Sequence, residues 1–248
     1  MGLPMKGSLM SSNARVHFVR HAETLFNVNG QLQGWCDSPL TERGEHQAFA
    51  LGELMRDVPL AAAFTSDLTR TRTTTEAALV GHPTIVATPL RELREWNFGS
   101  FEGQPNPSLW VAVFAKHGYE YAPASAEWAA MTANGLDSII DAIHDHDPLG
   151  RAESAADVNS RLAVGLDIVV AAAEHAAATG AGDILVVTHG AVLGSILRHL
   201  LPNSRPQGGF PNCGIVTVTW EDGEITVSEV DGSCSASVAV LPVGAAAH

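Results

Sequence analysis

The sequence predicts a doubly wound α/β fold: a mostly parallel sheet with helices on both faces and an inserted helical lid. Largely apolar runs at residues 16–19 and 184–187 alternate along the chain with segments whose apolar residues recur at helical spacing. That alternation is typical of a parallel sheet covered by helices. The 248 residues, 46% of them hydrophobic, suffice for one large domain with a substantial core. Between residues 99 and 150 four prolines interrupt the alternation, which indicates the insertion.

The individual elements follow from apolar spacing, capping residues and turn signals. Thr41 has the character of an N-cap, because Ala48, Leu51 and Met55 follow it at helical spacing. In chain order we predict a strand at 15–20, a functional loop at 24–39, a helix after Thr41, a strand at 61–65, a helix at 67–79, a strand at 84–87, short helical pieces at 108–116 and 127–133, a long helix at 154–178, a strand at 183–188, a helix at 191–200 and a closing hairpin with its turn at 222–223.

These elements predict a single domain at residues 14–232, with the insertion at about residues 103–150. Residues 1–13 contain no continuous apolar stretch, so we expect a flexible N-terminal extension rather than a signal peptide. Residues 233–248 are rich in alanine and valine without a clear period. They are assigned as a C-terminal tail of undetermined structure.

Charge and cysteine content limit the partners and the compartment. A formal net charge of −13 makes the surface repel nucleic acid and anionic membranes. The apolar run at 184–187 is far shorter than the roughly 20 residues of a membrane span. The three scattered cysteines (Cys36, Cys213 and Cys234) show neither metal-ligand spacing nor a disulfide framework, so the cytoplasm is the expected location. The closing strands could form the edge of a homodimer, although no pattern marks an interface.

Two histidines follow predicted strands at positions where ligands bind in open α/β sheets. Arg20 and His21 come directly after the apolar run at 16–19, and His189 and Gly190 follow the strand at 183–188. A single histidine at a strand end is more often structural than catalytic, but two histidines and an arginine would form a compact cationic site without a metal. A neutral imidazole is a nucleophile near pH 7, and an anion could approach the backbone closely at Gly190. The pattern therefore favours attack on a phosphoryl group.

Arg70 and Glu95 are the candidate partners of these histidines. Arg70 lies in the first turn of a predicted helix, where the helix dipole opposes a cation at a cost of about 0.3–1 kcal/mol. It is either a solvated surface arginine or a fork for an anion shared with the helix N-terminus. Glu95 follows the third predicted strand and has aromatic neighbours. It is either an ordinary loop glutamate or a proton donor whose pKa burial raises.

The motifs that contain these residues resemble the signature of the histidine phosphatase superfamily, the phosphoglycerate mutase-like group. They occur in the order of that family and extend from about residue 16 to about residue 200. The matching motifs are Arg20-His21-Ala22-Glu23-Thr24, Asn27, Gln33-Gly34-Trp35, Asp37, Pro39-Leu40-Thr41-Glu42-Arg43-Gly44, Thr65-Ser66-Asp67-Leu68-Thr69-Arg70-Thr71, Leu93-Arg94-Glu95, Phe98-Gly99, Phe101-Glu102-Gly103 and Val187-Thr188-His189-Gly190. One departure is Ala22, where the family usually has glycine.

The resemblance implies a two-step mechanism that needs no metal or other cofactor. His21 would be the phosphorylated nucleophile, and Glu95 would donate a proton and later activate water for hydrolysis of the phosphohistidine. Arg20, Arg70 and His189 would complete the phosphate pocket.

The resemblance also implies contacts with the substrate, which would be a small phosphorylated metabolite. Asn27 matches a family position that contacts the phosphoryl group, and Gln33 and Gly34 match loop positions near the substrate. With Gly190, these are the predicted substrate-binding residues.

The inserted segment favours a phosphatase over a mutase. Glycolytic mutases of the family carry a cluster of arginine and lysine there, because they must hold a phosphoglycerate carboxylate, whereas Lys116 is the only lysine or arginine between residues 103 and 150. Residues 95–98 read Glu-Trp-Asn-Phe instead of the mutase-type Glu-Arg-His-Tyr. We therefore expect a phosphomonoester hydrolase, with a 2,3-bisphosphoglycerate-dependent phosphoglycerate mutase as the alternative. A non-catalytic binding protein is disfavoured, because the site residues are all present.

Three further patterns have competing interpretations. The alternating His and Asp residues at 144–147 favour a solvated helix end over a metal site. Asp157 and Arg161 are expected to pair at i,i+4 on the long helix. The third pattern is a set of aromatic residues that either lines a specificity pocket or forms the core of the lid: Trp96, Phe98, Trp110 and Phe114.

Overall fold

The computed structural model describes residues 14–122, 127, 130–131, 135–200, 209–221 and 224–231. Its strands are β1 (Ala14–Arg20), β2 (Leu60–Ser66), β3 (Thr88–Leu90), β4 (Asp183–Thr188), β5 (Ile215–Glu221) and β6 (Glu224–Asp231). They form one sheet in the order β3-β2-β4-β1-β5-β6. Strands β1 to β4 are parallel to one another, whereas β5 is antiparallel to β1 and β6 to β5. The predicted mostly parallel sheet is confirmed.

The helices occupy the segments between these strands. They are α1 (Leu25–Asn29), α2 (Glu42–Met55), α3 (Thr69–Ala78), α4 (Pro107–Lys116), α5 (Leu136–His146), α6 (Ala155–Thr179) and α7 (Gly190–Leu200). Short 3₁₀ turns lie at Arg91–Leu93 and Gly99–Phe101. Thr41 caps α2 as predicted, because its side chain accepts a hydrogen bond from the Gly44 amide.

Alternating side chains of the central strand β4 divide the core into two layers. Ile184 and Val186 belong to one hydrophobic cluster, and Leu185 and Val187 belong to the other, as the side-chain alternation of a strand requires. Helices α4 to α7 contribute to the first layer, and α2 and α3 contribute to the second. Helices therefore cover both faces of the sheet. Helices α4 and α5 of the inserted segment share the core of the first face.

The third strand was predicted at residues 84–87, and this position is wrong. The structure places β3 at Thr88–Leu90, at the edge of the sheet, where Pro89 is tolerated. Val86 is 86% exposed, and Ile85 packs partly buried against the second core layer, so the run at 84–87 lies beside the core, whereas pairing with β2 begins at Thr88. Leu90 is buried and pairs with Ser66 of β2.

The segment 24–39 was predicted as a loop, but it contains α1. Thr24 and Asn27 form a capping box, in which each side chain accepts a hydrogen bond from the backbone amide of the other, at 3.3 and 3.2 Å. Gly30 ends the helix in the left-handed conformation, with φ of 63°. This cap fixes the side-chain orientation of Asn27 beside the first histidine.

Several predictions concern residues outside those that the structure describes. They are the extension at 1–13, the tail at 233–248, the hairpin turn at 222–223 and most of the helical piece at 127–133. The limits of the domain therefore remain predictions.

Within the described residues, α6 is one helix that is long and apolar enough to cross a membrane by length and composition. Its inward residues Val158, Leu162, Leu166 and Val169 are buried in the first core layer. The helix packs against β1 and β4, which is the arrangement of a core helix.

Candidate active site

The two predicted histidines meet at the carboxyl edge of the sheet. Strands β1 and β4 are adjacent and parallel, and Arg20 pairs in register with Thr188, so the residues that follow each strand emerge side by side. The rings of His21 and His189 lie edge to face, with their centroids 5.3 Å apart. Both residues are buried.

His21 has one ring nitrogen committed and the other free to react. Its Nδ1 donates a hydrogen bond to the carbonyl oxygen of Ala22 at 2.7 Å, and since a carbonyl only accepts, Nδ1 carries the proton. The Nε2 lone pair is therefore available. Burial lowers the pKa of His21 well below its usual value, and the nearby charges of Arg70 and Arg20 lower it further. The buried imidazole is thus a neutral nucleophile.

Arg70 is buried, which excludes the interpretation of a solvated surface arginine. Its Nη1 donates to the Cys36 carbonyl at 2.9 Å and to the Asp37 carboxylate at 3.0 Å. Its Nη2 donates to the carbonyls of Gln33 and Gly34 at 3.2 and 2.8 Å. The fork expected to grip an anion is therefore bound to the loop at 33–37, and only Nε remains.

Four buried nitrogen atoms of the site have no hydrogen-bond partner among the described residues. They are Nε of Arg20, Nε of Arg70 and both ring nitrogens of His189. Buried polar atoms in proteins are nearly always hydrogen-bonded. Burial lowers the pKa of His189 well below its usual value, and the charge of Arg70 adds to this effect. Two cationic donors and a neutral imidazole thus form a site for a compact anion beside Nε2 of His21.

Glu95 is held by the N-terminus of α7. Its Oε1 accepts hydrogen bonds from the amides of Trp96 and Val192 at 3.0 and 2.8 Å, and its Oε2 accepts one from Ala191 at 2.9 Å. Burial raises the pKa of Glu95 above its usual value, although these amides oppose the shift. Two of the amides that begin α7 therefore bind this carboxylate, which differs from the expected open anion site after His189.

Arg161 is a supporting residue that the sequence analysis interpreted wrongly. It does not pair with Asp157, which instead forms a capping box with Ser154 at the start of α6. The Arg161 guanidinium binds both carboxylate oxygens of Glu153, and it donates to the carbonyls of residues 92, 94 and 95 at 2.7–2.9 Å. Arg161 therefore fixes the backbone that carries Glu95. Spacing along one helix could not reveal these long-range acceptors.

Asn212 is a site residue that the sequence analysis missed. Its Nδ2 donates to the carbonyl of His21 at 2.9 Å and to Oδ1 of Asn27 at 3.1 Å. The residue lies before β5, outside every predicted element, so no periodic pattern pointed to it. It links the predicted nucleophile to the predicted phosphoryl contact.

The predicted substrate-binding glycines have close backbone and side-chain neighbours. A Cβ atom at Gly34 would lie 2.1 Å from the carbonyl oxygen of Trp96, and one at Gly190 would lie 3.2 Å from Nε of Arg20. The described pocket lining includes neither glycine. Both positions allow a close approach of other atoms to the backbone, and their predicted binding role stays a prediction.

The site opens into a cavity of about 430 Å³ that is lined by Arg20, His21 and Glu95. We call the rest of the described lining the pocket wall. Five wall residues carry amides, five are apolar or aromatic, and one carries a carboxylate. They are Asn27, Gln31, Gln33, Asn106 and Asn212; Phe26, Val28, Leu32, Phe98 and Trp110; and Glu23.

The four aromatic residues considered for a specificity pocket divide between the two interpretations. Phe98 and Trp110 belong to the pocket wall and contact each other edge to face, 6.2 Å apart. Trp96 is buried, with its Nε1 donating to Ser195 at 3.2 Å, and Phe114 is fully buried. The first pair can therefore contact a ligand, and the second pair is core.

The His and Asp residues at 144–147 are bound to different partners. His144 Nδ1 donates to the Ala152 carbonyl, Asp145 pairs with Lys116, and Asp147 accepts from backbone amides that include Ala152. Within the described part of the chain, no group of three or more His, Cys, Asp or Glu residues could hold a metal.

Comparison with known proteins points to one family. The family model described as histidine phosphatase superfamily (branch 1) matches residues 16–231. A probable phosphoglycerate mutase GpmB of Yersinia enterocolitica is 30% identical over 211 residues, which cover 84% of this chain and 86% of that protein. The crystal structure of a phosphoglycerate mutase from Bacillus anthracis aligns with a TM-score of 0.76 at 29% identity, covering 89% of this chain and 93% of that one. An alpha-ribazole phosphatase from Shigella flexneri shares the fold, with a TM-score of 0.63 at 20% identity over 87% of this chain and 95% of that one.

Proposed function

The chain belongs to the histidine phosphatase superfamily, and we propose that it is a phosphomonoester hydrolase that forms a phosphohistidine at His21. Catalysis through phosphohistidine is general for this superfamily. The geometry at the carboxyl edge of the sheet supports the assignment of His21, because its Nε2 is the available nitrogen beside the four unpartnered nitrogen atoms of Arg20, Arg70 and His189. The partner is a small phosphorylated metabolite, and the mechanism uses no metal or other cofactor.

In the first proposed step, Nε2 of His21 attacks the phosphorus atom and the bond to the leaving oxygen breaks. Arg20 and Arg70 stabilise the negative charge of the equatorial oxygens, as preorganised cations do in phosphoryl transfer. His189 donates a further hydrogen bond from one ring nitrogen. Glu95, whose protonated form is favoured because burial raises its pKa, gives its proton to the leaving oxygen.

In the second step, the carboxylate of Glu95 takes a proton from water, and the water oxygen attacks phosphorus. The bond from phosphorus to Nε2 breaks, and its electron pair returns to the His21 ring. Inorganic phosphate leaves, and Glu95 is again protonated for the next cycle.

The charge of the residues in the pocket wall favours a hydrolase over a mutase. A mutase must hold a phosphoglycerate carboxylate, but the described wall contains the carboxylate of Glu23 and no lysine or arginine. Lys116 pairs with Asp145 at 2.8 Å, with both side chains more than half exposed, and it is not part of the described wall. Among the described residues that line the cavity, the cation is Arg20, which is assigned to the phosphoryl group, so a substrate carboxylate would lose its hydration there without gaining a cationic partner.

A 2,3-bisphosphoglycerate-dependent phosphoglycerate mutase is the second candidate. Two similar proteins favour this candidate, because both are named as phosphoglycerate mutases: the Yersinia enterocolitica protein is 30% identical to this chain and the Bacillus anthracis protein is 29% identical.

The cytoplasm is the proposed location. The thiol of Cys36, which forms no disulfide among the described residues, supports it, because a reducing compartment keeps cysteines unpaired.

Two assays on the same preparation test the proposal. Phosphate release is measured from p-nitrophenyl phosphate and a panel of metabolite phosphomonoesters, and interconversion of 2- and 3-phosphoglycerate is measured with added 2,3-bisphosphoglycerate. We expect phosphate release to dominate, with an acid-labile label on the protein after brief exposure to a ³²P-labelled substrate. Mutase turnover without net phosphate release would establish the second candidate. Absence of both reactions and of the label would show a non-catalytic binding protein.

A pair of histidine variants identifies the labelled residue. His21→Ala should lose the label and at least about 10³-fold of the activity, as removal of a nucleophile does in other enzymes. His46→Ala, on the exposed face of α2, should keep both.

A further inference from the structure

We propose that the pocket wall selects an uncharged polyhydroxylated leaving group, so that the substrate is a sugar or polyol phosphate, and that Asn106 is a specificity-determining residue. This inference rests on the proposed hydrolase function. The observation behind it is that the side-chain amides of the wall differ in how many of their hydrogen bonds are already made within the protein.

Four of the five wall amides make hydrogen bonds within the protein. Gln31 binds Gly103 and Asn29, and Gln33 binds Thr24 and Ser38. Asn27 and Asn212 bind each other at 3.1 Å. These four amides form a fixed polar surface.

Asn106 differs from the other four amides. It occupies the N-cap position of α4, where an asparagine side chain normally accepts a hydrogen bond from a helix amide. Here its side chain makes no capping bond, and it makes no hydrogen bond with any residue that the structure describes. Its backbone is nevertheless held, since its amide donates to Gly30 at 2.8 Å and its carbonyl accepts from Trp110 at 3.0 Å. A fixed backbone thus presents an amide with both a donor and an acceptor to the pocket.

The charge of the wall decides which groups can pair with Asn106. Hydroxyl groups both donate and accept hydrogen bonds, as an amide does, and they can donate to the carboxylate of Glu23. A carboxylate on the leaving group would instead lie near Glu23, which pairs with the exposed Arg43 at 3.3 Å, and Arg20, the cation of the described cavity lining, is already assigned to the phosphoryl group. An unpaired carboxylate near another carboxylate is disfavoured, and such disfavoured contacts are one of the two routes to specificity.

The apolar part of the wall and the cavity size fit the same ligand class. Trp110 lies one helical turn after Asn106, and Phe98 packs edge-on against it. Together they offer an apolar surface to the C–H groups of a carbohydrate. A cavity of about 430 Å³ lies at the small end of the roughly 300–1,000 Å³ typical of small-molecule sites, so a single monosaccharide unit is the expected size.

A matched pair of substrates tests the charge selection. Sorbitol 6-phosphate and 6-phosphogluconate have the same chain and stereochemistry and differ only in a terminal hydroxymethyl or carboxylate group. We expect kcat/KM to be at least about tenfold higher for sorbitol 6-phosphate, because the carboxylate is desolvated without a partner. Glycerol 3-phosphate and 3-phosphoglycerate form the corresponding shorter pair. Equal or better turnover of the carboxylates would overturn the inference.

Two substitutions at one position test the role of Asn106. In Asn106→Ala, the ratio of kcat/KM for sorbitol 6-phosphate to that for p-nitrophenyl phosphate should fall about tenfold through KM, the usual effect of losing one neutral hydrogen bond. Asn106→Lys should shift selectivity toward 6-phosphogluconate. The control Asn159→Ala, on the exposed face of α6, should keep the wild-type ratios. Unchanged ratios in both Asn106 variants would contradict the assignment.

The reference substrate separates failure of this inference from failure of the proposed function. p-Nitrophenyl phosphate has no hydroxyl groups for the wall to recognise. If the wild type hydrolyses it without preferring polyol phosphates, the hydrolase function stands and the inference is wrong. If the wild type does not hydrolyse it or any other phosphomonoester, the proposed function is wrong and the inference falls with it.

Discussion

At the scale of single residues, burial assigns opposite protonation states to His21 and Glu95. Burial disfavours the charged form of each group, so it lowers the pKa of the imidazole and raises that of the carboxyl group. Both shifts therefore favour the neutral form, a neutral base and a neutral acid, which is the pair that phosphoryl transfer to His21 needs. Because the two groups titrate in opposite directions, kcat/KM should rise with pH as His21 loses its proton and fall as Glu95 loses its own.

The pH profile of Glu95→Gln tests the acid role. We expect the acid limb of kcat/KM to lie below pH 6.5, since the pKa of His21 is lowered from that value, and the basic limb to lie above pH 4.5, since the pKa of Glu95 is raised from that value. Glu95→Gln should abolish the basic limb for an alkyl phosphate and lower kcat/KM by about 10²–10⁴. The burst of p-nitrophenol from p-nitrophenyl phosphate should change little, because nitrophenolate leaves without a proton.

Substrate dependence separates proton donation from a structural role. If Glu95→Gln loses equal activity on both substrates, its three backbone hydrogen bonds rather than its proton explain the loss. Glu76→Gln, exposed on α3, is the matched control and should keep the wild-type profile.

At the scale of elements, one carboxylate shapes the loop that holds Arg70. Glu102 accepts hydrogen bonds from the amides of Gly34, Trp35 and Cys36 at 3.0, 2.7 and 3.1 Å, and from Phe98 at 3.0 Å. The same stretch of loop directs its carbonyls toward the Arg70 guanidinium. The position of a phosphate-binding cation thus depends on a glutamate whose carboxylate binds the opposite side of that loop.

Glu102→Gln should therefore weaken phosphate binding. A glutamine has one acceptor oxygen and places an NH₂ group against backbone donors, and charge-assisted hydrogen bonds contribute about 1.5–3 kcal/mol each. We expect kcat/KM to fall about 10- to 100-fold, with a parallel rise in the Ki of inorganic phosphate and faster hydrogen exchange at residues 34–36. Faster exchange with unchanged kinetics would show that the loop does not position Arg70. Glu45→Gln, exposed on α2, should show neither effect.

Elements with a local cause were the ones that could be predicted from the sequence. The strand β4 and the cap at Thr41 depend on side chains within a few residues, and both predictions are confirmed. Residues 84–87 have β-forming side chains, but residues 88–90 form the strand because they are the ones that pair with β2, and that pairing is a long-range contact. The same reason explains Arg161 and Asn212: their acceptors lie on segments that are distant in sequence, so no local spacing could identify them.

At the scale of the whole molecule, the two ends of the parallel strands differ in role: one carries the candidate active site and the other carries ionic contacts between strands. The carboxyl end carries His21 and His189, whereas the amino end of β4 carries an ionic cluster around the buried Asp183. There Asp183 accepts hydrogen bonds from the backbone and side chain of Arg15 at 3.0 and 2.9 Å, and it binds Nε2 of His17 at 3.2 Å. This cluster joins β1 to β4, the two strands that position the histidines.

Asp183 should accordingly control stability in acid. Burial alone would raise its pKa, but the hydrogen bonds from His17 and Arg15 outweigh burial, and the pKa lies below its usual value of 3.8. A lowered carboxyl pKa contributes stability that is fully present above the unfolded-state pKa and is lost as pH falls through the folded-state pKa. Asp183→Asn should therefore lower the free energy of unfolding by about 2–3 kcal/mol at pH 7. Below about pH 4 its difference from the wild type should shrink.

Urea unfolding of both proteins at pH 7, 5 and 3.5 measures this difference directly, because the variant shares every other titrating group with the wild type. A gap that stays constant from pH 7 to pH 3.5 would show that the carboxylate charge of Asp183 does not stabilise the fold. The exposed Asp145 provides the control, since its pairing with Lys116 lies at the surface. Asp145→Asn should leave the unfolding midpoints nearly unchanged, because exposed ion pairs contribute little. Stability in acid is thus expected to depend on the Asp183 cluster that joins β1 to β4, and the histidine pair should separate only when those strands do.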